Sequence, residues 1–387
     1  MTAERTLAPG SEGEVAEALQ EAFRRRWTVL PLGTGVEAPP IGTARDLTPL
    51  RTEGMDGILE YEPADLTLTA GAGTSLAEVA AAAAEHGQWL PFDPPEAAER
   101  TLGGVAATGA PGPLSTMYGL PRDNILGLSV VTGDGQRLRL GGKVMKNVAG
   151  FDLVRLMVGS RGALGVITSV TVRLFPRPAV DRWFSLEAAT PAELMAAGRA
   201  VATAPVLPAS AVLRTRLEEG AGGALFLRLH GSPPTVEADR ATFENACGRG
   251  FTPLEGQEGP GRPWSDGAVV TASALPSRLG ALLEAAGEVF PGAMAVADVL
   301  SGRVHLSVGV PPSGGQMSKN LREMGRAVAE LEGSVRLVRA AGARAEGARV
   351  GEGDADDAAA RIRRVLKDRF DPEGVLWDGG AWGGAGS

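Results

Sequence analysis

The run from Lys143 to Pro178, KVMKNVAGFDLVRLMVGSRGALGVITSVTVRLFPRP, constrains the fold more than any other part of the chain. Asp152 can accept hydrogen bonds from the open N–H groups of a short helix. Leu153, Leu156 and Met157 give that helix an apolar face, and Gly159 supplies the left-handed residue that ends it. Gly162 and Gly165 then flank a turn into Val166–Leu174, whose β-branched residues and partial alternation suit a half-buried strand stopped by Pro176 and Pro178. Glycines between helix and strand lay bare backbone open, which suits contact with a large planar cofactor. Two of the chain's four lysines, Lys143 and Lys146, open the stretch, although arginine supplies most of the 38 basic residues. A compact ammonium is not equivalent to arginine's planar fork, so Lys146 reads either as functional or as part of a solvated hairpin edge.

Length and charge narrow the function. With 387 residues the chain has room for two or three domains. The acidic N-terminus lacks an apolar signal core, and no later apolar run approaches the roughly 20 residues that span a bilayer, so a cytoplasmic protein is expected. A net charge of −8 argues against nucleic acid as the main ligand. Cys247, the single cysteine, excludes an intrachain disulfide and a cysteine-ligated iron–sulfur cluster, and His86, His230 and His305 are too scattered for a structural zinc site. Electron transfer in this chain therefore needs an organic cofactor, and no metal is expected.

Ser11 and Glu14 form a capping box before a helix that runs to about Arg26, and Trp27–Leu30 reads as a strand leading into Pro31-Leu32-Gly33-Thr34-Gly35-Val36. Leu66–Ala70 reads as a second strand, followed by Gly71-Ala72-Gly73 and a helix opened by Ser75 and Glu78 and closed by Gly87. Gly71-x-Gly73, with Asp93 about twenty residues on, imitates a dinucleotide fingerprint. Leu76 occupies its third glycine position and Pro94-Pro95 breaks the following element, so a tight strand-to-helix turn is the better reading. Thr132–Gly135 reads as a hairpin turn. Beyond Pro178, helices are expected to start near Pro191, Pro234, Pro276 and Ser318. Strands are expected at about 211–217, 225–230, 269–272, 294–300, 303–308 and 335–338, making an α+β second domain without internal repeats. A last helix, at about 355–369, precedes Phe370-Asp371-Pro372.

The glycine loops make more sense together than apart. Gly33-Thr34-Gly35 and Gly103-Gly104 offer backbone N–H groups to a pyrophosphate, and Ala106, Ala107, Thr108 and Gly109 are small enough for a flat ring to lie on the chain. Taken in order, Pro31-x-Gly33-x-Gly35, Asp93-Pro94-Pro95, Leu102-Gly103-Gly104, Tyr118-Gly119 to Asp123, Gly150–Leu153, Gly159–Thr168 and Phe370-Asp371-Pro372-x-Gly374 resemble FAD-linked oxidases of the vanillyl-alcohol oxidase and p-cresol methylhydroxylase type. Within that group the run Gly142–Leu153 is similar to the E-type subunits of bacterial glycolate oxidases.

That resemblance implies an α+β fold: an FAD-binding domain of two α+β subdomains at 1–179, an α+β, ferredoxin-like cap domain at 180–333, and a C-terminal segment, 334–387, returning to the FAD domain. It implies FAD contacts from Leu32, Gly33, Thr34, Gly35, Val36, Pro94, Leu102, Gly103, Gly104, Ala106, Ala107, Thr108 and Gly109, with Gly165, Val166 and Ile167 near the adenine or ribityl end. Covalent relatives use a His or Cys beside the flavin; neither stands in the loops here, so FAD is expected to bind without a covalent link. The expected partners are a catalytic flavin subunit, an iron–sulfur subunit and a small 2-hydroxy acid, in the cytoplasm or peripheral to the inner membrane through the complex. Only His305 corresponds to the family's histidine-bearing cap motif, and no catalytic residue is assigned. Two other readings stay open. A self-sufficient D-lactate-type dehydrogenase would draw on Arg122, Lys146, His305 or Arg344, and a third possibility is a flavin-stabilised scaffold.

Overall fold

The computed structural model describes residues 5–37, 47–142, 152–255, 259–260, 267–309, 314–339 and 358–378, which fall into two compact units. The first comprises residues 1–115, 119–177 and 353–387, and the second comprises Thr116–Tyr118 and Pro178–Glu352.

In the first unit, α1 (Glu12–Arg25) is capped by Ser11, whose hydroxyl accepts the Glu14 N–H, and buries Val15, Ala16, Leu19 and Ala22. β1 (Thr28–Leu32) pairs in parallel with β2 (Leu47–Arg51), flanked by bridges from Leu7 and Leu376. β3 (Ile58–Glu62) and β4 (Thr67–Gly71) follow; Leu66, where the strand was expected to begin, is left-handed in the connecting turn, so the strand starts one residue later. Next come α2 (Leu76–Ala84), β5 (Gln88–Trp89), α3 (Leu102–Thr108), α4 (Ser115–Tyr118), whose last three residues belong to the second unit, α5 (Pro121–Asn124), β6 (Ile125–Val131), β7 (Arg137–Gly141), α6 (Leu153–Met157), β8 (Val166–Arg173) and β9 (Phe175–Pro176). Five strands form an antiparallel sheet in the order β3-β4-β8-β6-β7. One apolar cluster joins this sheet to α2 and α3; a second joins α1 to Val29, Leu50, Val131 and Val166, giving the two subdomains.

The second unit is a duplication, against the expectation of no repeat. β10 (Val180–Ala188), α7 (Pro191–Ala202), β11 (Ser210–Arg216), β12 (Gly223–Gly231), α8 (Pro233–Cys247) and β13 (Thr252–Pro253) make one βαββαβ motif. β14 (Ala268–Ser273), α9 (Leu279–Val289), β15 (Met294–Asp298), β16 (Arg303–Val308), α10 (Gly314–Glu330) and β17 (Ser334–Arg339) make another. The eight-stranded antiparallel sheet runs β13-β10-β12-β11-β15-β16-β14-β17, so each half has the ferredoxin-like order and the second strands of the halves join at the centre. Side-chain alternation then sets one face against the helices: Leu225, Leu227, Leu229, Val304 and Leu306 lie in the apolar core, and their sequence neighbours face the other way. Because β17 pairs with β14, the boundary expected at 333 falls inside this unit. The chain returns to the first unit with α11 (Ala358–Phe370).

Candidate functional site

Three glycine-bearing segments of the first unit meet. The loop leaving β1 touches α3 at Gly33, where a methyl group would lie 2.5 Å from Thr101 Oγ1. It touches the turn after α6 at Pro31, whose ring would lie 2.9 Å from a methyl on Gly162. α3 and that turn meet directly. Gly159 N–H donates to Ala106 O at 3.0 Å, Arg161 N–H donates to Ala107 O at 2.8 Å, and a methyl on left-handed Gly109 would lie 3.3 Å from Gly159 Cα. No larger residue fits such backbone approach without displacement.

The expected contact residues divide by orientation. The 102–109 segment is a helix rather than an open loop, capped by Thr101 and ended by Gly109 at φ 61°. Leu102 and Ala106 are buried in the apolar core, and Gly103 backs onto Ala72, so they support the surface without presenting side chains to it. Gly104, Ala107, Thr108 and Gly109 are half-buried, as are Leu32, Gly33, Gly35 and Val36, while Thr34 is exposed. Gly165, Val166 and Ile167 are buried, with both apolar side chains in the core clusters, leaving only their backbone for a ligand. Pro94 is buried too, and its neighbour Asp93 accepts the Leu114 N–H at 3.1 Å, which anchors the loop. The residues before α6, with Lys143, Lys146 and Gly150, and also Arg344, lie outside the described residues. Arg122 is exposed on α5.

Two features missed from sequence complete this site. Glu37, with a side chain 5% exposed, pairs with Arg100 at 2.9 Å and with Arg161 at 3.4 Å, setting two arginines around one carboxylate and tying the three segments together. Thr168 Oγ1 is buried without a hydrogen-bond partner among the described residues, two positions beyond Val166. A surface of bare glycine backbone, a local positive charge and an orphaned hydroxyl together fit a dinucleotide cofactor.

The second unit carries a polar network on the sheet face away from its helices. Arg228 holds Asp181 in a fork, Nε to Oδ1 at 2.7 Å and NH2 to Oδ2 at 2.6 Å, while His230 Nε2 lies 3.0 Å from Oδ1 and Nδ1 2.8 Å from the Tyr118 hydroxyl. Burial alone would raise the Asp181 carboxyl, but the hydrogen bonds of Arg228 and then His230 outweigh it and hold it well below the usual carboxylate range. Burial, and then the Asp181 charge, pushes the Tyr118 phenol up. With Asp181 ionised, His230 donates to it from Nε2, and its Nδ1 shares a hydrogen bond with the Tyr118 hydroxyl. His305, in β16, has Nδ1 3.0 Å from Thr271 Oγ1. Among the described residues no group of three or more His, Cys, Asp or Glu could hold a metal ion, and no described helix is long and apolar enough to cross a membrane.

Comparison with known proteins agrees with the first unit's geometry. Residues 3–141 match the family described as "FAD binding domain". The glycolate oxidase subunit GlcE of Escherichia coli strain K12 is 50% identical over 123 residues, 32% of this chain and 35% of its own length. Glycolate oxidase subunit GlcD of Bacillus subtilis strain 168 is 31% identical over 259 residues, 63% of this chain and 55% of its own. The chain thus spans between a third and just over half of these relatives. A solved structure of alkyldihydroxyacetonephosphate synthase superposes with a TM-score of 0.71 over 96% of this chain and 75% of that one, at 17% identity, which is a likeness of fold. The matched segment is thus similar to FAD-binding domains, and the fold is that of FAD-linked oxidases. FAD is its cofactor.

Proposed function

We propose that the protein is the FAD-binding subunit of a glycolate (2-hydroxy acid) oxidase complex, working with a catalytic flavin subunit and an iron–sulfur subunit. The observation that carries this reading is the glycine surface formed by the β1 loop, α3 and the turn at Gly159–Gly162, in a chain of which 123 residues are 50% identical to a glycolate oxidase subunit. When bound, FAD supplies the acceptor for the two electrons released as the hydroxy acid becomes a 2-oxo acid. The chain's own residues hold and shield that group. Backbone at Gly33–Gly35 and Gly104 receives the pyrophosphate, the Glu37–Arg100–Arg161 cluster adds the compensating charge, and Thr168 supplies a buried hydroxyl. The loops that carry Thr34 and Thr108 hold no His or Cys to form a covalent link, so FAD is held non-covalently.

The test uses the purified full chain and the co-expressed complex. Acid precipitation should leave the yellow chromophore in the supernatant; colour retained in the washed pellet overturns non-covalent binding. Anaerobic glycolate should bleach the flavin slowly in the isolated chain and completely in the complex. Rapid bleaching in the isolated chain, with no partner co-purifying from the native host, replaces this reading with a self-sufficient dehydrogenase.

A further inference from the structure

α11 has apolar residues on two sides, and the first unit uses one of them. On the inner side Leu366 and Phe370 pack into the core under the five-stranded sheet, and Lys367 donates to Ala163 O, Leu376 O and Asp371. On the outer side Ala358, Ile362, Val365 and Arg369 are all exposed, at the four-three-four spacing that keeps residues on one stripe of a helix. Ile362 is 60% exposed and Val365 67%, the highest value among the large apolar residues described. A single exposed apolar side chain is ordinary. Two branched ones a turn apart, on a helix already anchored by its opposite side, make a ridge with nothing of this unit left to cover it.

Charge marks the kind of partner that fits. Arg361, Arg364 and Arg369 flank the ridge, against the single acid Asp368, in a chain whose net charge is −8. Among the described residues the ion pair of α11 is Lys367 with Asp371, on the inner side, and none of the three arginines meets a carboxylate. Two such ridges related by a two-fold axis would set arginine against arginine, which disfavours a second copy. A bilayer surface calls for a broad apolar face with aromatic anchors, whereas this ridge is two branched aliphatic residues without an aromatic among them. A protein surface with a small apolar centre and an acidic rim meets both features at once.

We propose that the outer face of α11 docks a partner subunit through an acidic surface whose apolar centre covers Ile362 and Val365. On the oxidase-complex reading, on which the partner's identity rests, that surface belongs to a subunit of the complex. With 13 residues the helix is about 20 Å long, so it is one anchor of an interface that should bury about 1,200 Å² or more in total.

The FAD-loaded full chain, co-expressed with the flavin and iron–sulfur subunits of its own host, tests this. The wild type should co-purify with them, and the α11 amides should exchange with deuterium more slowly in the complex than in the isolated chain. Val365→Glu touches none of the inner contacts, so the isolated variant should keep wild-type flavin content and unfolding midpoint while its affinity for the partners falls about 100-fold. Arg361→Glu with Arg369→Glu should weaken assembly about ten-fold or more and remove its salt sensitivity, and Arg361→Lys should assemble as the wild type does. A complex that forms equally well with Val365→Glu and with the double reversal overturns the docking face and leaves the oxidase-complex reading standing. A wild type that assembles with neither subunit overturns that reading and the docking face with it. Self-association of the isolated chain, or its binding to phosphatidylglycerol vesicles, that Val365→Glu abolishes would assign the face to a second copy or to a membrane and overturn the acidic partner.

Discussion

In the first unit backbone lies against backbone; in the second, side chains interlock across a sheet. Gly103 sits so near Ala72 that a methyl would be 2.5 Å from its Cβ and 2.7 Å from its carbonyl oxygen, and Gly33 and Gly162 are confined in the same way. Such positions accept one residue type. Strands of the second unit ask only that alternate residues be apolar, so Asp181 can become Thr271 at an equivalent position without loss of the fold. The first unit is thereby specified by its glycines, and the second is free to vary the residues on the sheet face away from its helices.

The largest expected effect tests the confined backbone. Gly103→Val should cost more than about 3 kcal/mol in urea unfolding and lose FAD with the fold, because α3 cannot stay against Ala72. Gly104→Asp should behave differently. Its methyl would meet only the Thr101 hydroxyl, at 3.0 Å, so the protein should fold while the added bulk and negative charge exclude FAD, read as loss of flavin absorbance in the purified protein. Full flavin occupancy in Gly104→Asp would show α3 to be scaffolding alone.

A second test asks whether the C-terminal return belongs to the first unit energetically. Lys367 Nζ donates to Asp371 Oδ2 at 2.6 Å, to Leu376 O at 2.7 Å and to Ala163 O at 2.9 Å, and Asp371 accepts the Val375 and Leu376 N–H groups. Lys367→Met would strand a carboxylate whose side chain is 0% exposed. The expected loss is about 3–5 kcal/mol, seen in chemical unfolding of the first unit, with FAD affinity falling because Ala163 adjoins the Leu164-Gly165 turn. Unchanged unfolding would mean that the segment is an appendage.

The same contrast explains what was legible in the sequence. Capping pairs Ser11/Glu14 and Ser75/Glu78, the left-handed glycines and the β8 strand declare themselves through local chemistry, and the structure holds them where expected. The helix at 102–108 was hidden because two glycines imitate a loop; Thr101 as its cap was the overlooked signal. Glu37 could not be paired with Arg100 and Arg161 from sequence, since their contact depends on three distant segments converging. The repeat was hidden by divergence, with Arg-x-His twice its clearest trace. β10 was missed since its helix-facing Phe184, Leu186 and Ala188 alternate with Trp183 and Ser185, which are buried as well.

The smallest effect lies in the second unit and depends on pH. Asp181 titrates below the ordinary carboxylate range because Arg228 and His230 hold its ionised form. A carboxyl depressed in the folded state stabilises that state at all pH values above its unfolded pKa of about 3.9, and the contribution fades as pH falls through the folded value. Asp181→Asn keeps the shape but surrenders the charge that answers Arg228. At neutral pH it should unfold about 2 kcal/mol more easily than the wild type, the scale of hydrogen bonds to charged groups. Below about pH 4 the gap should begin to narrow, because the carboxyl of the unfolded wild-type chain takes up its proton there, and it should close as pH falls on to the depressed value of the folded carboxyl. The first unit contains no part of this network, so its unfolding, followed through bound flavin, should be the same in both proteins at each pH. A gap that stays constant down to the acid limit would mean that packing, and not the Asp181 charge, gives this half of the sheet its stability.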